Sequence, residues 1–100
     1  MATLSEARAV VDEYLKGDAG ELPEEDALVV LEEQTIERPW GWVFFYTSRL
    51  WHQTGEFRYA LAGNAPLIVE RHSGRILPTG TASPVEQYIA NYERTGKPSA

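Results

Sequence analysis

The chain contains no cysteine, so it has neither disulfides to staple a small fold nor thiolates to bind a metal or attack a substrate. It also lacks a long apolar run. The longest, Trp42-Val43-Phe44-Phe45-Tyr46, falls far short of the roughly 20 residues that span a bilayer. The opening MATLSEARAVVDEYL has no basic leader and no continuous apolar stretch, so it does not read as a signal peptide, and a soluble, cytoplasmic protein is expected. Positive charge is scarce as well: nine Lys and Arg stand against fifteen Asp and Glu. Without clustered cations, neither nucleic acid nor an anionic membrane is an expected partner.

What remains suits one domain of 100 residues. A chain 43% hydrophobic and 24% charged is composed like a folded protein, not a disordered one. Its aliphatic and aromatic residues alone must offset an ordering cost of about 1–2 kcal/mol per residue of backbone. The acidity is lopsided. Residues 1–38 hold eleven acidic side chains against Arg8, Lys16 and Arg38, whereas residues 39–100 hold four acidic and six basic ones. Such a surface keeps a small protein soluble, and it also speeds encounter with a basic protein partner; the charge pattern is consistent with both.

Thr3 and Glu6 have the spacing of a capping box, with Ser5 as an alternative cap. Leu4, Ala7, Val11 and Tyr14 then recur at helical intervals, with Val10 and Leu15 widening the stripe, which predicts an amphipathic helix over residues 4–16 that stops at Gly17. A polar loop, residues 18–26, leads to a strand over 27–33. The aromatic stretch 40–48 is the strongest strand signal, with Trp40, Trp42, Phe44 and Tyr46 expected on one face and Val43, Phe45 and Thr47 on the other. Apolar on both faces, it belongs in the middle of a sheet. Residues 49–64 are less regular. A strand over 66–72, a turn at His72-Ser73-Gly74-Arg75 and a return over 75–78 form a hairpin. Ser83-Pro84-Val85-Glu86 opens a second helix, with Ser83 as cap and Val85, Tyr88, Ile89 and Tyr92 on one face. The expected fold is α+β: an antiparallel sheet of about four strands packed with an N-terminal and a C-terminal helix, in the order α-β-β-β-β-α.

Catalytic signals are lacking. His52 and His72 lie in different segments with no metal spacing. The serines lack the Gly-x-Ser-x-Gly elbow, and Ala62-Gly63-Asn64-Ala65-Pro66 is not a phosphate loop. No enzyme, cofactor or metal is expected. Binding to another protein is, and aromatic and Arg residues dominate binding hot spots. Trp42 is assigned to the core. The contact candidates are the acidic Glu24, Glu25 and Asp26, and the group Arg49, Trp51, His52, Phe57 and Tyr59.

From Gly41 to Glu93 the chain resembles the immunity protein 35 (YrhB-like) family. The likeness rests on Gly41-Trp42-Val43-Phe44-Phe45, on Leu61-Ala62-Gly63-Asn64-Ala65-Pro66-Leu67-Ile68-Val69, on Ser73-Gly74, and on Gly80-Thr81-Ala82 leading to Pro84, Glu86 and Tyr88. The resemblance implies a small bacterial protein, in some cases encoded beside a polymorphic toxin and neutralising it by binding. It also implies an alternative, because a YrhB-like member acts as a chaperone-like protein in heat stress. His72 departs from the pattern, since similar sequences tend to place Asp before the Ser/Thr-Gly turn, where it closes an Asx-type turn. The shared strings themselves are fold-specifying: Gly63-Asn64 for a backbone reversal, Pro66 for a strand start, Ser73-Gly74 for the hairpin.

Overall fold

A computed structural model describes residues 2–18, 27–56, 65–80 and 82–98. The capping box forms as its spacing requires: Thr3 N donates to Glu6 Oε1 (3.0 Å) and Glu6 N to Thr3 Oγ1 (3.2 Å). Helix α1, Leu4–Asp18, runs through Gly17 and not up to it. Its inward stripe is narrower than expected. Ala7, Val11 and Leu15 are buried, while Leu4, Val10 and Tyr14 stay exposed. The i, i+4, i+8 row meets the sheet, and the other three lie on its flank or overhang its end.

Six short strands follow: β1 Leu28–Val30, β2 Ile36–Arg38, β3 Gly41–Phe44, β4 Tyr46–Ser48, β5 Leu67–Glu70 and β6 Ile76–Pro78. All pairings are antiparallel, in a four-stranded sheet ordered β2-β3-β5-β6 and a two-stranded sheet β1-β4. The first expected strand is therefore shortened and the second split, and β2 falls outside both. The 27–33 segment ends at Val30 and gives way to a 3-10 turn, Glu32–Gln34, before β2; the aromatic segment breaks at Phe45. Leu31 N still donates to Phe45 O (2.8 Å), so β1–β2 and β3–β4 form one hairpin, interrupted by a bulge, that links the two sheets.

Alternation along β3 and β5 sorts the core into two layers. Trp42, Phe44, Leu67 and Val69 pack against Ala7, Val11 and Leu15 of α1, with Val30 beside them. On the opposite face Val43 and Ile68 pack against Ile89 and Tyr92 of the C-terminal helix α3, Val85–Thr95. The α+β expectation holds, with one helix on each face of the four-stranded sheet. Trp40 is a correction: it does not share the Trp42 face but joins the α3 layer, its ring 4.6 Å from that of Tyr92. It sits in the β2–β3 turn, where strand alternation does not reach.

At the start of α3, Pro84 and not Ser83 is the cap residue, and no side chain caps the helix. Gly96 ends it with a left-handed φ of 83°. The β5–β6 hairpin is as expected. Its turn does not depend on the side chain at position 72, because Ser73 Oγ accepts from Arg75 N (3.1 Å) and Gly74 N donates to Glu70 O (2.8 Å). The reversal expected at Gly63-Asn64 lies outside the described residues.

Candidate functional site

Two regions of the sheet gather the chemistry-bearing side chains. The first is the end where β1 begins and β4 stops. Leu28 pairs with Ser48, and Arg49 N donates to Ala27 O (2.7 Å). The irregular stretch after β4 opens as a short helix, α2, Arg49–Thr54. Ser48, fully buried, caps it by accepting from Trp51 N (3.2 Å). Gly55, in the left-handed region at φ 69°, closes it by donating to Trp51 O (2.9 Å). The Ser48 and Gly55 caps were the available sequence signals for this helix.

Of the contact candidates, α2 carries Arg49 and Trp51, both half-buried, and His52, exposed. Glu24, Glu25, Asp26, Phe57 and Tyr59 lie outside the described residues. In sequence, Asp26 immediately precedes Ala27, and Phe57 immediately follows Glu56. A groove of about 320 Å³ lined by Asp12, Leu15, Lys16, Ala27 and Leu28 runs beside it.

The second region lies under α3, and sequence reasoning missed it. Glu70 shares the inward face of β5 with Ile68 and is 5% exposed. It accepts from Tyr92 Oη (2.7 Å), Ser73 Oγ (2.8 Å) and Arg75 Nε (3.2 Å), with His72 Nε2 4.0 Å away. Burial by itself would raise the carboxyl; donation by Tyr92, Ser73 and Arg75, with the Arg75 charge, outweighs it and holds Glu70 below the usual carboxylate range. Burial, then the bond to Glu70 and its charge, push the Tyr92 hydroxyl up to about 12. The signal, in hindsight, was a charged residue in phase with the apolar positions of a strand.

Together these bonds fasten α3 to the hairpin, and their sign is testable. A carboxyl held low in the fold contributes stability above its unfolded value and loses it as pH falls below about 4.5. Glu70→Gln is expected to cost on the order of 1.5–3 kcal/mol near pH 7, the usual worth of hydrogen bonds to a charged group. Urea titrations from pH 7 to 3 should show the gap between the two proteins closing as pH falls. A gap that stays constant over that range would contradict the assignment.

Arg71, at the turn after β5, holds the other corner. It stacks over Trp42 at 4.4 Å, donates to Pro39 O and Arg38 O, and pairs with Glu37 at 3.1 Å. No three His, Cys, Asp or Glu side chains among the described residues are grouped so as to hold a metal, and no helix among them is long and apolar enough to cross a membrane. His52 and His72 lie on α2 and in the β5–β6 turn, in separate regions.

This is a small α+β protein whose described surface offers side chains for contact around a packed sheet. The model of one family, Immunity protein 35, matches residues 5–93. The chain is also 37% identical over 93 residues to the uncharacterized protein YrhB of Escherichia coli strain K12, covering 93% of this chain and 90% of that one. No solved structure matches it. The chain belongs to the Immunity protein 35 family.

Proposed function

We propose that this protein is an immunity protein that neutralises a toxin domain by stoichiometric binding in the cytoplasm, without catalysis. The observation that carries the reading is the family match over residues 5–93. A contact around α2 is consistent with the described fold. The β1–β4 ladder brings the chain position that follows Glu24, Glu25 and Asp26 alongside Arg49, at the start of the helix bearing Trp51 and His52. The acidic Glu24, Glu25 and Asp26 and the half-buried Trp51 together suit a partner with a basic surface around an apolar patch. Phe57 and Tyr59, next along the chain, are further contact candidates.

Co-purification of the tagged chain with toxin-like products encoded beside it tests the reading; a 1:1 complex is expected, and no complex with any of them would overturn it. Within such a complex the two halves of the surface have separable effects. Changing Glu24, Glu25 and Asp26 together to Lys is expected to slow association by about tenfold at low salt and to flatten its salt dependence. Trp51→Ala is expected to act mainly on dissociation and to cost about 2 kcal/mol of affinity. Stopped-flow and surface-plasmon measurements on both variants would check this, and unchanged kinetics for both would move the contact elsewhere.

A second reading, a chaperone-like client binder, draws on the exposed Leu4, Val10 and Tyr14 of α1. It predicts suppressed aggregation of unrelated unfolded proteins, which a dedicated immunity protein does not require.

A further inference from the structure

The bulge between the two sheets has a consequence on the side of α1. The register passes from Val30↔Tyr46 to Ile36↔Val43, so the β1–β2 segment carries more residues than the segment it faces. The surplus is the 3-10 turn Glu32–Gln34, whose three residues are all exposed. Where it displaces the strand, a cavity of about 200 Å³ opens beneath the first turns of α1, lined by Leu4, Ser5, Arg8, Glu32, Thr35 and Phe44. Phe44 is its buried floor, at 1% exposure, and Leu4 is left 52% exposed at its rim. Arg8 pairs with Glu32 across the rim and also contacts Asp12 at 3.4 Å.

Size and charge together narrow the occupant. Small-molecule sites usually run to about 300–1,000 Å³, so this cavity is small for a coenzyme or nucleotide. An apolar cavity of about 150 Å³ holds a benzene ring, so the space suits one aromatic or branched side chain. Around it Asp12, Glu32 and the adjacent Glu33 outnumber Arg8, which favours cationic neighbours on the incoming chain. The cavity lies toward the N-terminal end of α1, about 18 Å along the helix from Lys16 and the groove beside Ala27, so it is a contact point separate from that surface.

We infer that this cavity is an anchor pocket, which takes a single apolar side chain flanked by Lys or Arg from a protein partner. The inference deepens the toxin-binding reading and rests on it for the partner's identity. Its test does not need the toxin. The isotope-labelled full chain is titrated with acetyl-Lys-Arg-Phe-Arg-Lys-amide and, separately, with the same peptide carrying Ala in place of Phe, while amide shifts are followed by NMR. The Phe peptide should shift Leu4, Ser5, Arg8, Thr35 and Phe44 and bind about tenfold more tightly than the Ala peptide, the return for burying one aromatic side chain. Ser5→Trp, at an exposed rim position, should remove that difference while leaving the rest of the spectrum in place.

Equal binding of the two peptides, or shifts confined to α2, would overturn the pocket. So would nuclear Overhauser contacts from Phe57 or Tyr59 to Phe44 in the free protein, since the chain itself would then fill the space. Peptide binding with no toxin complex would overturn the immunity reading and keep the pocket; a toxin complex without peptide discrimination would do the reverse.

Discussion

Gly41→Ala is expected to unfold the protein or to cost it more than about 4 kcal/mol, a size reached only when a substitution breaks something the fold cannot relax around. A Cβ at this position would lie 2.0 Å from Val69 O and 3.1 Å from Arg71 N, both backbone atoms of the neighbouring strand segment. Gly41 also has φ +154°, which L side chains rarely adopt. Relief would mean opening the ladder between β3 and β5 at Gly41↔Glu70, next to the Glu70 bonds and beneath the Arg71 clamp. Gly17→Ala is the matched control. Nothing stands within 4 Å of a Cβ there, and replacing Gly within a helix is expected to stabilise by roughly 0.5–1 kcal/mol. Urea unfolding of both variants checks the pair; an Ala at position 41 tolerated within 1 kcal/mol (about the worth of a small core change) would contradict the close approach.

The second large effect is at Trp42, whose removal should cost about 3–5 kcal/mol as Trp42→Ala. Trp42 is 1% exposed at the centre of the α1 layer, and its ring carries the Arg71 guanidinium. Truncation would leave a cavity and loosen the residue that grips the β2–β3 turn at Arg38 and Pro39. Trp42→Phe retains a ring under Arg71 and discards an indole N–H that has no hydrogen-bond partner among the described residues, so its cost should be distinctly smaller. Calorimetric melting of the three proteins measures the order, and equal losses for Ala and Phe would place the weight on the indole nitrogen instead.

Both predictions concern residues within the Gly41-Trp42-Val43-Phe44-Phe45 string, which carried much of the family likeness in the sequence. That string is legible because its information is local: alternation places Trp42 and Phe44 on one face and Val43 on the other. The Thr3–Glu6 box, the Ser73-Gly74 turn and the Tyr88-Ile89-Tyr92 face of α3 were legible for the same reason. Features set by distant partners were not. The break at Phe45 depends on the extra residues at 32–34 across the ladder, and Trp40 turns toward α3 because Tyr92 and Glu93 await it there, the latter accepting from its indole N–H at 3.0 Å.

Glu70 illustrates the limit most clearly. On the sequence it is one of four carboxylates in a mildly basic stretch, set apart only by its phase with the apolar positions of a strand. In the fold it is buried, because Tyr92 of α3 joins Ser73 and Arg75 of the adjoining turn to satisfy it, and Tyr92 is distant in sequence. The helix α2 had readable caps, whereas the Leu28↔Ser48 pairing, which sets Ala27 against Arg49, was not legible.

Neutralisation by stoichiometric binding is tested most directly by titrating a fixed amount of the neighbouring toxin domain with this protein and following toxin activity. The account predicts a straight-line fall to zero at one equivalent, with the complex recovered intact. Activity that persists at a large excess, or that disappears at a small fraction of an equivalent as turnover would require, would contradict it.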